Sequence, residues 1–288
     1  MGEQNIKESA DESARQSFMK SLLEEVRALD AMLDKGMVES GISRIGAEQE
    51  MFLINKAHKP APKALEILEI IDDDRFTHEL GLFNLEANLS PQTLGGDCLR
   101  RMENELQDVY RHARETAERT GCEIALVGIL PTLAMKHLGL DSMVPTSRYH
   151  ALNDAIRALR GDDFQFTING IDQLTLKHDN VMLEACNTSF QVHFQTGPGE
   201  FVQLYNIAQA ITGPLMAAAV NSPILLGRRL WHESRIAVFE HSIDARSEAH
   251  QAPVQAKAPV IHHRGREGMA EDILVVDHQG RSEAVYRQ

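Results

Sequence analysis

Three stretches of the chain alternate polar and apolar residues with a period of two, the repeat of a β-strand whose side chains point to opposite faces in turn. In "RIGAEQEMFLI", Arg44–Ile54, one side carries Arg44, Gly46, Glu48 and Glu50, and the other Ile45, Ala47 and Met51. In "HELGLFNLEANLSP", residues 78–91, Phe83, Leu85, Ala87 and Leu89 alternate with Asn84, Glu86 and Asn88, and Glu79 stands just upstream. In "EACNTSFQVHFQ", residues 184–195, the sets are Asn187, Ser189, Gln191, His193 and Gln195 against Thr188, Phe190, Val192 and Phe194. Each stretch therefore predicts a strand with one apolar face for a core and one polar face.

Other segments repeat at three and four residues instead. Over residues 8–35, Phe18, Leu22, Val26, Leu29 and Leu33 form the stripe of an amphipathic helix that stops near Gly36 and is expected to pack on the core. Its acidic polar face does not suit a membrane surface. Further helices are predicted at 62–71, 97–120, 147–160 and 201–220. The second of these places Leu99, Met102, Leu106, Val109 and Ala113 on one stripe and ends at Gly121. "CEIALVGIL", residues 122–130, is a continuous apolar run and predicts a strand buried on both faces. After Arg246 the apolar period is lost, and "EDILVVDHQGRSEAVYR" offers one weak strand. The expected organisation is an N-terminal helix over 1–40, a main domain over 41–246 and an irregular or truncated segment over 247–288. Strand runs that do not interleave with helices predict an α+β fold: a curved, mainly antiparallel sheet with a polar concave face and helices packed on its other face.

Composition narrows the class of function. The chain has 288 residues, 43% of them hydrophobic, enough for a full core. A net charge of -13, from 29 basic and 42 acidic residues, argues against a nucleic-acid partner and against anionic lipid. The three cysteines, Cys98, Cys122 and Cys186, share no close spacing, so neither a disulfide framework nor a thiolate metal site is expected. The N-terminal residues lack the apolar core of a secretory signal, and no later run reaches the roughly 18 apolar residues of a membrane span. These features predict a soluble cytoplasmic protein with small-molecule partners, its oligomeric state, homo-oligomer included, left open.

The polar strand faces carry Glu, Asn, Gln and His, the residues that coordinate cations and position substrates. Convergence of Glu48, Glu50, Glu79 and Glu86 without a balancing Lys or Arg would force these acids to take up protons or to hold cations between them. Hard oxygen donors with an imidazole nearby suit Mg²⁺, which is commonly held by carboxylates together with substrate phosphates. That points to phosphoryl transfer from ATP, without a phosphate-binding glycine loop, because Gly95-Gly96 lacks the required context. Blander readings exist for each residue: Glu79 as an exposed acid after "DDDRFTHE", His193 as a core histidine, and Arg235 as part of a solvated basic face with Arg228 and Arg229.

In order along the chain, "GAEQE", "HELGLFNLEANLSP", "SFQVHFQ" and "NSPILLGRRLWHESR" resemble the glutamate–cysteine ligase and related carboxylate–amine ligase superfamily, which shares the glutamine synthetase type of catalytic sheet. The resemblance covers roughly residues 42–246. It implies that Glu48, Glu50, Glu79 and Glu86 are ligands of two or three Mg²⁺ ions, with Mn²⁺ as a substitute, bridging the phosphates of ATP. By the same resemblance His193 lies beside a metal or the acyl phosphate, Gln191 and Asn88 orient substrate or nucleotide, Arg148 approaches ligand from "SRYHALND", and Ser222 shapes a neighbouring loop. Arg235 matches an arginine near the transferring phosphate. The implied activity is ATP-dependent amide formation through an acyl phosphate, with γ-glutamyl transfer to cysteine or another amine. The family generally continues with a strand that supplies a further carboxylate and an arginine, and that strand is not found after Arg246. The alternative is therefore a catalytically impaired relative that binds metal or metabolite as a regulatory protein.

Overall fold

A computed structural model of the chain describes residues 12–161 and 163–243, with the backbone of three short strands beyond them. The elements run α1 (Glu12–Asp34), β1 (Arg44–Ile54), α2 (Ala64–Ile71), β2 (Phe76–His78), β3 (Asn84–Asn88), β4 (Gln92–Thr93), α3 (Cys98–Arg119) and β5 (Glu123–Ala125). There follow α4 (Ser147–Arg160), β6 (Phe164–Asn169), β7 (Gln173–His178), a 3-10 helix at Val181–Cys186, β8 (Phe190–Phe194) and α5 (Phe201–Ala218). The last are β9 (Ile224–Leu225), β10 (Arg228–Arg229), α6 (Arg235–Ile243), β11 (Pro259–Val260), β12 (Ile273–Val276) and β13 (Ser282–Val285). The fold is α+β, with a mainly antiparallel open sheet. Two compact units are present, one containing 44–194 and 220–243, the other 12–43, 195–219 and the strands beyond 249. No helix among the described residues is long and apolar enough to cross a membrane.

In the first unit β1 is the centre of the sheet. It pairs with β3 and β4 along one edge and with β8 and β5 along the other, all antiparallel, and β2 adds outside β3. The alternation of β1 then assigns its two faces. Ile45, Ala47, Met51 and Leu53 meet Leu85 and Ala87 of β3 and the buried stripes of α2 and α3 in one core cluster. Met51, Leu53 and Leu85 are fully buried, and each contributes about 1.5–3 kcal/mol through the area removed from water. On the opposite face the polar positions Gly46, Glu48 and Glu50 give way to Phe52 and Ile54. Those two belong to a second core cluster with Leu80, Phe83, Leu183 and the β6–β7 hairpin.

Several expectations are corrected. Strand structure in 122–130 covers only Glu123–Ala125, because β5 has only Phe52, Leu53 and Ile54 of β1 to pair with before β8 takes over that edge. The Gly128 backbone bonds to Asn221 and Thr188 instead, and Leu126 is exposed. The buried stripe of α3 is Cys98, Met102, Val109, Ala113 and Ala117. Leu99, one residue or about 100° round the helix from Cys98, faces solvent. Helices α2 and α3 cover the apolar face of β1 and β3, and Phe190, Val192 and Phe194 of β8 are exposed among the described residues.

In the second unit α1 and α5 both form where their periodicity places them, but their apolar positions remain exposed. Phe18, Leu22, Val26, Leu29 and Leu33 of α1 all do so. Of the tail, β11, β12 and β13 form a small antiparallel sheet, two strands where "EDILVVDHQGRSEAVYR" predicts one. The rest of the 247–288 expectation lies outside the described residues.

Candidate active site

Strand register assembles the acids. Glu50 of β1 stands opposite Glu86 of β3, and Glu86 stands opposite Thr77 of β2, from which the chain runs directly to Glu79. Directly opposed residues on one sheet face bring their Cβ atoms to about 5 Å. Glu50, Glu79 and Glu86 accordingly offer carboxylate oxygens that all lie within 4.8 Å of one another. No Lys or Arg bonds to any of the three among the described residues.

This proximity alters their chemistry. Burial above all, then a hydrogen bond with Glu86 and the charges of Glu86, Glu50 and Glu184, push the Glu79 carboxyl up to about 10. Burial also raises Glu50, against three hydrogen bonds that favour its ionised form. Ser189 N–H donates to Glu50 Oε2 at 2.7 Å, Ser189 Oγ–H to the same oxygen at 3.2 Å, and Gln191 Nε2–H to Oε1 at 2.9 Å. Asn88 Nδ2–H donates to Glu86 Oε1 at 2.5 Å. Each polar partner comes from the alternation of its own strand: Asn88 follows Glu86 by two in β3, and Gln191 in β8 pairs in register with Glu48.

Glu48 is not part of the close trio. It lines the adjoining cavity and its carboxylate lies 3.6 Å from His193 Nε2. That cavity, of about 330 Å³, is bordered by Glu79, Glu86 and Glu48 and by Leu152 and Ile156 of α4. Arg148 and Tyr149, from the first turn of α4, also line it. The Tyr149 hydroxyl lies 3.4 Å from His78 Nδ1, and burial pushes its phenol up to about 12.

Two predicted residues lie elsewhere. Arg235 does not line the cavity: its Nε–H donates to Glu233 Oε1 at 2.5 Å and its Nη1–H to the Thr188 carbonyl at 2.8 Å. Buried Ser222 donates Oγ–H to Glu233 Oε1 at 3.0 Å and accepts the Arg235 backbone N–H at 3.2 Å. Arg235 thus braces Thr188, next to the residue that fixes Glu50, and Ser222 braces Arg235 and Glu233. Sequence reasoning also missed a residue. Glu184, the one acid in the apolar run "VMLEAC" of the 3-10 helix, borders the cavity. Its sole signal was a charge among five buried neighbours.

The donor set fits a hard divalent cation: oxygen atoms from three chain segments, with Glu79 kept protonated by burial and by the neighbouring acids, so that a cation can replace the proton. A family model described as glutamate-cysteine ligase family 2 matches residues 44–275. The chain belongs to that family. The match takes in the whole acid cluster and reaches past the 42–246 span expected from the motifs. Membership suggests a carboxylate–amine ligase acting on small molecules. No curated protein matches the chain.

Proposed function

We propose that this family member is an ATP- and Mg²⁺-dependent ligase that activates a carboxylate as its acyl phosphate and joins it to an amine, with glutamate as the acid and cysteine or another amine as acceptor. The gathering of Glu50, Glu79 and Glu86 oxygens within 4.8 Å carries this reading. Bound by those three acids, Mg²⁺ or Mn²⁺ supplies neutralisation of the charge on the transferred phosphoryl group, the main requirement of such a reaction. The remaining work falls to the chain's own residues. Ser189 and Gln191 fix both oxygens of Glu50, and Asn88 orients Glu86. Arg148 offers a guanidinium fork to a substrate carboxylate. His193 stands over Glu48 at the edge of the site. Arg235 holds the Thr188 backbone next to Ser189, and Ser222 steadies Arg235.

The catalytic machinery on this reading lies within 41–246, and the enzyme works in the cytoplasm. The test is ADP formation from MgATP and L-glutamate against a panel of amines and amino acids, with Glu50→Ala and Glu86→Ala beside the parent. ADP release that needs both acid and amine, and that is abolished in the variants, is the expected result. Unchanged activity in both variants, or metal binding without turnover on any acceptor, overturns it; the latter outcome identifies a binding relative.

A further inference from the structure

The cation-holding acids do not account for Glu184. It borders the same cavity, yet it is outside the trio whose oxygens gather together. The 3-10 helix that presents it buries Val181, Met182, Leu183, Ala185 and Cys186 around it. Among the described residues its carboxylate has no hydrogen-bond donor and no ion-pair partner. Burial first, and then the Glu50 charge, push the carboxyl up to about 7. A largely buried acid with neither donor nor counter-charge is unfavourable on its own, and such groups in folded proteins have a partner. Glu184 lines the cavity, where a ligand can supply that partner.

A second unpaired charge of opposite sign borders that cavity. Arg148 makes no ion pair among the described residues, and its guanidinium carbon lies 6.0 Å from the centre of the Tyr149 ring. The Tyr149 hydroxyl senses both groups, Arg148 drawing its pKa down and Glu184 raising it. The molecule complementary to this arrangement carries a carboxylate and an ammonium group.

We propose that Glu184 is the specificity residue that recognises the ammonium group of the amino-acid substrate, with Arg148 meeting its carboxylate. The inference rests on the ligase reading above. The ammonium concerned is the one that stays charged throughout, because an attacking amine must be neutral. Glu184 therefore acts on substrate choice, and the metal acids on phosphoryl transfer.

Calorimetric titration of L-glutamate and of glutarate, the same diacid without the amine, tests this in the parent, Glu184→Gln and Glu184→Asp, each with Mn²⁺ and a non-hydrolysable ATP analogue. The parent should prefer L-glutamate. Glu184→Gln should lose about 10- to 100-fold in L-glutamate affinity, the loss of one charge-assisted hydrogen bond, with glutarate affinity and Mn²⁺ stoichiometry unchanged. Glu184→Asp, which keeps the charge, should retain part of the preference. A preference undiminished in Glu184→Gln, no preference or no binding of either diacid in the parent, or one Mn²⁺ fewer bound by the glutamine variant overturns the assignment. A parent that binds no Mn²⁺ but still prefers L-glutamate through Glu184 would overturn the ligase reading and leave this role in place.

Discussion

Replacing Glu79 by glutamine should stabilise the metal-free protein while removing its response to Mg²⁺. With no cation bound, burial and the Glu86 carboxylate keep the Glu79 carboxyl protonated up to about 10, against an ordinary value of 4.5. Between those values the folded chain holds a proton that the unfolded chain has released, so stability falls as pH rises. At about pH 8 the full linkage is ~1.4 kcal/mol for each of roughly three and a half pH units, about 5 kcal/mol. Relaxation of the side chains and entry of water reduce the realised penalty to on the order of 2–3 kcal/mol. Glutamine keeps the size and a hydrogen bond to Glu86 without the ionisation. In chelator at about pH 8, Glu79→Gln should therefore melt roughly 4–12 °C above the parent by circular dichroism, and near about pH 5 the two should nearly coincide. Mg²⁺ should raise the parent's melting temperature at the higher pH and leave the variant's unmoved. A variant that melts below the parent at the higher pH, or that gains as much from Mg²⁺, refutes the reasoning.

Gln191→Ala removes one of the three donors that hold Glu50, and Gln191 is exposed. Mn²⁺ affinity measured by titration should fall by about 10- to 100-fold with the melting temperature unchanged; equal affinity would show that the outer donor does not orient the ligand. Glu233→Ala leaves the Arg235 guanidinium, whose side chain is 16% exposed beside a 5% exposed partner, without its counter-charge. Urea unfolding should register a loss of about 3–5 kcal/mol, and a loss below about 1 kcal/mol would show that the pair contributes little.

The alternation of β1, β3 and β8 makes most of the candidate site legible in the sequence. A period of two fixes which residues share a face, so Glu48 with Glu50, Glu86 with Asn88, and Gln191 with His193 follow directly from spacing. Register between strands does not follow from spacing, which is why Glu48 could not be told apart from the trio. Glu184 escaped because its 3-10 helix has no face that a period could reveal. Arg235 was legible as a conspicuous charge, but its engagement with the Thr188 carbonyl depends on a contact across 47 residues of chain. The run 122–130 misled because continuous hydrophobicity reports burial, and Ile129 and Leu130 are buried without belonging to a strand.

The two faces of β1 also explain why the acids need a counter-ion at all. Along one face Glu48 and Glu50 pass directly into Phe52 and Ile54, so the polar site is continuous with the second core. Two acids at the cavity have residues of that core beside them in sequence: Leu80 next to Glu79, and Leu183 and Ala185 flanking Glu184. These neighbours remove water from the carboxylates, and that removal is the largest cause of the raised pKa of Glu50, Glu79 and Glu184 alike. In water the same acids would repel one another weakly and bind a dication weakly. Against an apolar wall, repulsion and attraction grow together, because both scale inversely with the local dielectric. The packing that makes the metal-free cluster unfavourable is thus the same packing that makes a cation, or a substrate ammonium at Glu184, hold tightly there.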